Sequence, residues 1–155
     1  MFKNVLVGAD DSATALRAVG AAVEVAGKFG AKLHVVTAYR PETVLATHLL
    51  AVAPYGPMFP DLGDAAEDHS GDTAKALLAR LGRLAKRANV DAEFHAVTGP
   101  PAEAIVQAAS QLGADLIIVG NKGMRGAKRV LGSIPNSIAH HAQCSVLIVD
   151  TTKAD

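Results

Sequence analysis

The chain has 155 residues, half of them hydrophobic, which suits one domain with a sizeable core. Aromatic residues make up 4% and Trp is absent, so that core must come from Val, Leu, Ile and Ala, the composition of a buried parallel sheet. Fifteen basic and fifteen acidic residues cancel, which removes the electrostatic ground for nucleic-acid binding, and the lone Cys144 excludes an intrachain disulfide and suits a reducing compartment.

The opening "MFKNVLVGADDSA" is too short in its apolar run, and too soon acidic, for a signal peptide. No apolar run approaches the ~18 residues that a membrane span needs. The expectation is a cytoplasmic protein without a membrane anchor. Asn4–Ala9 reads as a short buried strand, after which Asp10, Asp11 and Ser12 supply turn and N-cap chemistry. From Ser12 to Phe29, the residues Leu16, Val19, Val23, Ala26 and Phe29 recur at three- and four-residue steps, a helix with one core face. Gly30 stops it, and Lys32–Ala38 is the second strand.

Tyr39 to Asp68 breaks the rhythm with Pro41, Pro54, Pro57 and Pro60, and reads as a long variable loop. Helical spacing returns over His69–Ala88. Asp91–Val97 is a third strand, and Gly99-Pro100-Pro101 opens a helix that runs to about Leu112. Asp115–Gly120 is a fully apolar fourth strand. Ser133 caps a helix with Pro135 in its first turn, ending near Ala142, and Ser145–Val149 is the fifth strand.

Strand and helix thus alternate along the whole chain. That pattern demands an α/β fold with a parallel sheet, helices on both faces and right-handed crossovers. Ligands in such sheets sit beyond the carboxyl ends of the strands, where the strand order reverses. In a five-stranded sheet ordered 3-2-1-4-5, that point lies between strands one and four. Those strands end in Ala9-Asp10 and Val119-Gly120.

The stretch after the fourth strand, "VGNKGMRGAKRVLGS", has the parts of a phosphate cradle. Glycines let backbone amides converge without a Cβ in the way, and a helix N-terminus attracts anions. Gly120, Gly123 and the Gly132-Ser133 pair supply both. The spacing is neither that of a Walker A loop nor Gly-x-Gly-x-x-Gly. The competing reading is that Gly123, Gly126 and Gly132 only turn the chain. Lys122 and Arg125 are candidates to pair with a phosphate, whereas Lys128 and Arg129 read as a solvated basic face.

At this point the sequence resembles the universal stress protein family. "VGNKGMRGAKRVLGSIPNSIAHHAQCSVLIV" is similar to its C-terminal signature, whose nucleotide-binding branch follows Gly-x2-Gly-x9-Gly-Ser/Thr. "NVLVGADDSATALRAV" and "GPPAEAIVQAASQLGADLIIVG" are similar to its opening and to its fourth-strand region. The resemblance implies an adenine-nucleotide α-hydrolase-like fold that binds ATP or a related adenine nucleotide, AMP or cyclic AMP included, with Mg²⁺ arriving on the nucleotide. It places Ala9 and Asp10 at the ribose or phosphate region and the Val35 backbone at adenine, with Ala38 ending the same strand nearby. Gly120 and Gly123 become the first two glycines, and Gly132, Ser133 and Ile134 the phosphate-holding amides. Eight residues separate Gly123 from Gly132 where the family pattern has nine, which bears on the grip at the last phosphate. The apolar last strand, followed by the short polar tail "DTTKAD", is an edge that invites pairing. In the resembled family it pairs with its own copy, which implies a homodimer.

Two rivals fall on sequence grounds. Asp10-Asp11 suggests a receiver domain, but the third strand ends "HAVTGP" and lacks the phosphoacceptor carboxylate. An enzyme is not expected, because no Ser/His/Asp or Cys/His pattern is recognisable and the glycine loop carries no base to activate water. The expected function is a nucleotide-responsive stress regulator, the alternative an interaction scaffold with an unused pocket. No protein-built metal site is expected. His140 and His141 diverge by about 100° on a helix, and His34, His48, His69 and His95 show no ligand spacing along the chain. Cys144 reads as a small semi-buried residue.

Overall fold

The computed structural model describes residues 1–10, 12–39, 81–83, 85–121 and 133–151. Valine and leucine runs form the inner strands β1 (Asn4–Gly8), β2 (Lys32–Tyr39) and β4 (Leu116–Gly120), each with a continuously buried middle. The strands β3 (Ala92–Thr98) and β5 (Ser145–Val149) alternate between more and less exposed residues, as edge strands should. The sheet has five strands in the order β3-β2-β1-β4-β5, and every pairing is parallel. Fold class and strand order agree with the sequence expectation. Asp115 sets the start of β4 against β1. Its amide donates to the Asn4 carbonyl at 3.0 Å, and its carboxylate accepts from the Lys3 and Asn4 amides at 2.7 and 3.2 Å.

Helix α1 (Ala13–Phe29) covers one face of the sheet. Ser12 starts it by accepting from the Ala15 amide at 3.2 Å, and Gly30 ends it at φ 62°, a left-handed conformation that glycine adopts without a Cβ penalty. Its deepest stripe is Ala15, Ala18, Val19, Ala22 and Ala26, against Val5, Val7, Leu33, Val35 and Ile118 of the sheet. The small residues let the helix lie close to the strands. Leu16 and Val23 flank that stripe instead of filling it, and Phe29 is exposed, stacked edge-to-face on Phe2 at 5.4 Å. Residues 81–83 and 85–87 are helical, and Leu81 joins the same core.

The opposite face is covered by α2 (Pro101–Gln111) and α3 (Ile134–His141). Ile105, Ala108, Ala109 and Ile138 meet Leu6, Val36, Ile117 and Val119 there. Cys144 packs at the margin of this second core. Burial pushes its thiol pKa up, the Asp115 carboxylate adds to that, and a backbone hydrogen bond at Ile117 opposes it. The thiol is therefore a poor nucleophile, in keeping with a packing role. The segment 40–80, which holds most of the expected variable loop and the start of its following helix, lies outside the described residues, as do Asp11, His48 and His69.

Candidate functional site

The strand order reverses between β1 and β4, so their carboxyl ends splay apart towards helices on opposite faces. β1 ends at Gly8, where an added Cβ would stand 2.7 Å from Ile105 Cδ1. Ala9 follows outside the strand, still tied to β2 by its amide on the Val36 carbonyl at 2.9 Å. Asp10 is exposed at the mouth. Its Oδ1 accepts from the Ser12 amide at 2.9 Å and from the Ser12 hydroxyl. That hydroxyl also meets Thr14 Oγ1 at 2.7 Å, so the acid, the cap and the first turn of α1 form one hydrogen-bonded unit. The first turn of α1 carries no acidic residue, and Asp10 is set directly before its positive end.

On the other side Gly120 ends β4, opposite Val149 of β5. A Cβ there would lie 3.1 Å from Thr151 Cγ2, 3.4 Å from its Oγ1 and 3.6 Å from the Thr14 carbonyl. A side chain there is accepted only if Thr151 gives way by a few tenths of an ångström. The next residue, Asn121, is buried and latches the ends of two strands. Its amide donates to the Val149 carbonyl at 3.0 Å, and its side-chain nitrogen donates to Asp150 Oδ1 at 2.9 Å. Its Oδ1 accepts the Thr151 amide at 3.1 Å and the Thr151 hydroxyl at 2.9 Å. Arg17, from α1, donates to the Thr151 carbonyl at 2.7 Å and ties the helix to the same corner.

Ala9, Asp10 and Gly120 therefore gather at the switch point, and Ala38 stands at the outer end of β2, two positions past the pairing of Gly8 with Val36. The side chain of Val35 is not exposed at the mouth. Val35 pairs with Val7 on one side and Phe94 on the other, and its side chain is sealed under α1. Ser133 and Ile134 start α3. Ser133 occupies the N-cap position, yet its side chain makes no capping hydrogen bond, and Pro135 leaves the Asn136 amide as the one remaining target for such a cap. Gly123, Gly126 and Gly132, with Lys122, Arg125, Lys128 and Arg129, lie outside the described residues.

Asn121, Thr151 and Arg17 have no functional role in the sequence reading, in which Thr151 belongs only to the short polar tail after the last strand. It is instead 1% exposed, because the chain turns back onto Asn121 after β5. The available signal was an Asn directly after an apolar strand, where a buried amide needs several partners. A separate groove of about 740 Å³ between α2 and α3, lined by Val106, Ser110, His141 and Cys144 among others, shares none of the strand-end residues.

Residues 1–150 match the universal stress protein family. The chain belongs to that family. A universal stress protein of Mycobacterium tuberculosis is 33% identical over 159 residues, covering 97% of this chain and 98% of its own. A universal stress protein of Bacillus subtilis is 31% identical over 150 residues, covering 96% and 99%. Among solved structures, a universal stress protein in complex with cAMP is 34% identical, with a TM-score of 0.74 and coverage of 97% of this chain and 98% of that one. Among the described residues, no helix is long and apolar enough to cross a membrane.

Proposed function

We propose that this universal stress protein binds an adenine nucleotide, ATP or a related one such as AMP or cyclic AMP, and serves as a nucleotide-responsive regulator of the stress response. The observation that carries this reading is the convergence of Asp10, the positive end of α1 and the Cβ-free corner at Gly120 on the switch point. The 34% identical relative whose structure holds cAMP supports the adenine class.

In this reading Ala38, with the backbone near Val35, faces adenine. Ala9 and Asp10 hold the ribose side. Gly120, Gly123, Gly132, Ser133 and Ile134 offer amides to the phosphates. Ser133 fits because its hydroxyl is not spent on its own helix cap. Mg²⁺ would enter with the phosphates and spread their charge. The sequence stretches "GNKG" and "GSIP" contain no base to activate water, so in this reading the protein holds its nucleotide and turns it over slowly at most. The chain acts as one domain over residues 1–155, with a variable Pro-rich loop at about 39–68, in the cytoplasm. Isothermal titration with ATP, AMP and cyclic AMP is expected to show one site per chain for at least one of them. No heat with any of the three, and no nucleotide released from the purified protein, would leave the scaffold reading in its place.

The proposal extends to a homodimer through β5. This strand is a sheet edge and presents Leu147 at 40% exposure. Light scattering is expected to give twice the chain mass, and Leu147→Lys to shift it towards the monomer. A concentration-independent monomer mass for the unmutated chain would refute the pairing.

A further inference from the structure

His34, Glu93 and His95 come together on the sheet face that carries Leu6 and Val36. The β2–β3 register does this. His34 pairs with Glu93, and His95 pairs with Val36 two positions on, so Glu93 and His95 share a face with His34 beside them. Three lone-pair atoms converge. His34 Nδ1 lies 3.3 Å from His95 Nε2 and 3.5 Å from Glu93 Oε2, and His95 Nε2 lies 3.9 Å from Glu93 Oε2.

We propose that His34 Nδ1, His95 Nε2 and Glu93 Oε2 form a binding site for a divalent transition-metal ion, Zn²⁺ by ligand type, with a water in the fourth position. Zn–N and Zn–O bonds of about 2.0–2.1 Å in a tetrahedron set the ligand atoms about 3.3 Å apart. Two of the three edges are already near that length, and the third closes by about 0.5 Å. Glu93 is 47% exposed and can make that movement.

Other features fit. The two imidazoles share a hydrogen bond at 3.3 Å, which a bound ion would replace with two metal–nitrogen bonds. Burial lowers the His34 pKa from the ordinary histidine value, with the facing His95 adding to this, Glu93 opposing, Lys32 lowering it further and Asp91 opposing, a direction that favours the neutral imidazole. Among the described residues the buried Nε2 of His34 has no hydrogen-bond partner, and with the ring proton on that nitrogen Nδ1 is the bare one. Exposure rises from 5% at His34 through 27% at His95 to 47% at Glu93, which gives an ion a route in and leaves an outward position for water. Lys32 sits on the other carboxylate oxygen, Oε1, at 2.5 Å, where it orients Glu93 and leaves Oε2 to the metal. The site lies in the first half of β2, apart from Asp10 and Gly120 at the strand ends, although Val35, whose backbone the nucleotide reading uses, directly follows His34.

A bound ion would pin the edge strand β3 to β2 and stabilise the fold by mass action. Titration with Co²⁺, whose visible absorption distinguishes tetrahedral from octahedral coordination, is expected to saturate at one ion per chain with an intense tetrahedral band that Zn²⁺ bleaches. Zn²⁺ should also raise Tm. Glu93→Gln and His95→Gln, both at partly exposed positions and checked for fold by circular dichroism, are each expected to weaken Co²⁺ binding at least tenfold. Absence of stoichiometric tetrahedral binding in the unmutated chain would overturn the proposal. So would a folded variant of either kind that keeps the band and its affinity, since the ion would then sit on other histidines.

Discussion

Asn121→Ala is expected to lower the free energy of unfolding by about 2–4 kcal/mol, measured by urea denaturation. The substitution removes the acceptor for both the Thr151 amide and the Thr151 hydroxyl, and it leaves those two donors in a place that water does not reach. Each buried donor without an acceptor costs about 1–3 kcal/mol. The Asp150 carboxylate also loses its contact with the Asn121 amide. Exposed polar residues carry no such burden, and their removal shifts stability by about 0.5 kcal/mol at most. A loss below 1 kcal/mol would mean that the corner admits water and that the latch is not a fixed part of the fold. Thr151→Val tests the same corner from the other partner, since it removes the hydroxyl while filling similar volume.

Gly120→Val is expected to weaken the proposed nucleotide binding more than tenfold and to destabilise the chain by about 1–3 kcal/mol through overpacking. A single Cβ is already tight against Thr151 Cγ2 at 3.1 Å. Thr151 cannot easily withdraw, because Asn121 holds its amide and hydroxyl and Arg17 holds its carbonyl. The strain must therefore pass to the end of β4, where the glycine stretch leaves the sheet. Gly120→Ala should show a smaller version of both effects, and the pair Gly120→Ala with Thr151→Ser should recover stability, because serine keeps the hydroxyl and lacks the crowding methyl. Unchanged titration heats in a folded Gly120→Val protein would remove Gly120 from the nucleotide site.

These two predictions rest on the corner that sequence reasoning did not see. Asn121 and Thr151 are 30 positions apart along the chain, and their bond exists only because β4 and β5 end side by side. The tail "DTTKAD" is polar by composition, yet one of its residues is among the most buried in the protein. A buried hydrogen-bonded threonine and an exposed one read alike in sequence. The metal-ligand cluster was hidden for the same reason. "EFH" and "LHVV" show no ligand spacing, and a shift of one residue in the β2–β3 register would turn Glu93 and His95 to the other face. Val35 is the converse case. Its place in β2 is legible in the sequence, but only the packing of α1 shows that its side chain is wholly inside, which leaves its backbone alone to meet a ligand in the proposed site.

The sequence by itself determined the alternation of strands and helices, the parallel sheet and the place where the strand order turns. These follow from local information: periodicity, apolar runs bounded by turn residues, and caps such as Ser12 and Gly30. It also carried the family, because the glycine-bearing stretch and the opening strand lie on contiguous residues. Only the tertiary structure decided which polar groups meet. It joined Asp10 to Ser12 and the start of α1, Asn121 to Thr151, Arg17 to the far end of the chain, and His34 to the Glu93 and His95 pair. Each pairing is fixed by strand register and by the closeness of packed layers, quantities that depend on the whole fold and leave no local mark on the sequence.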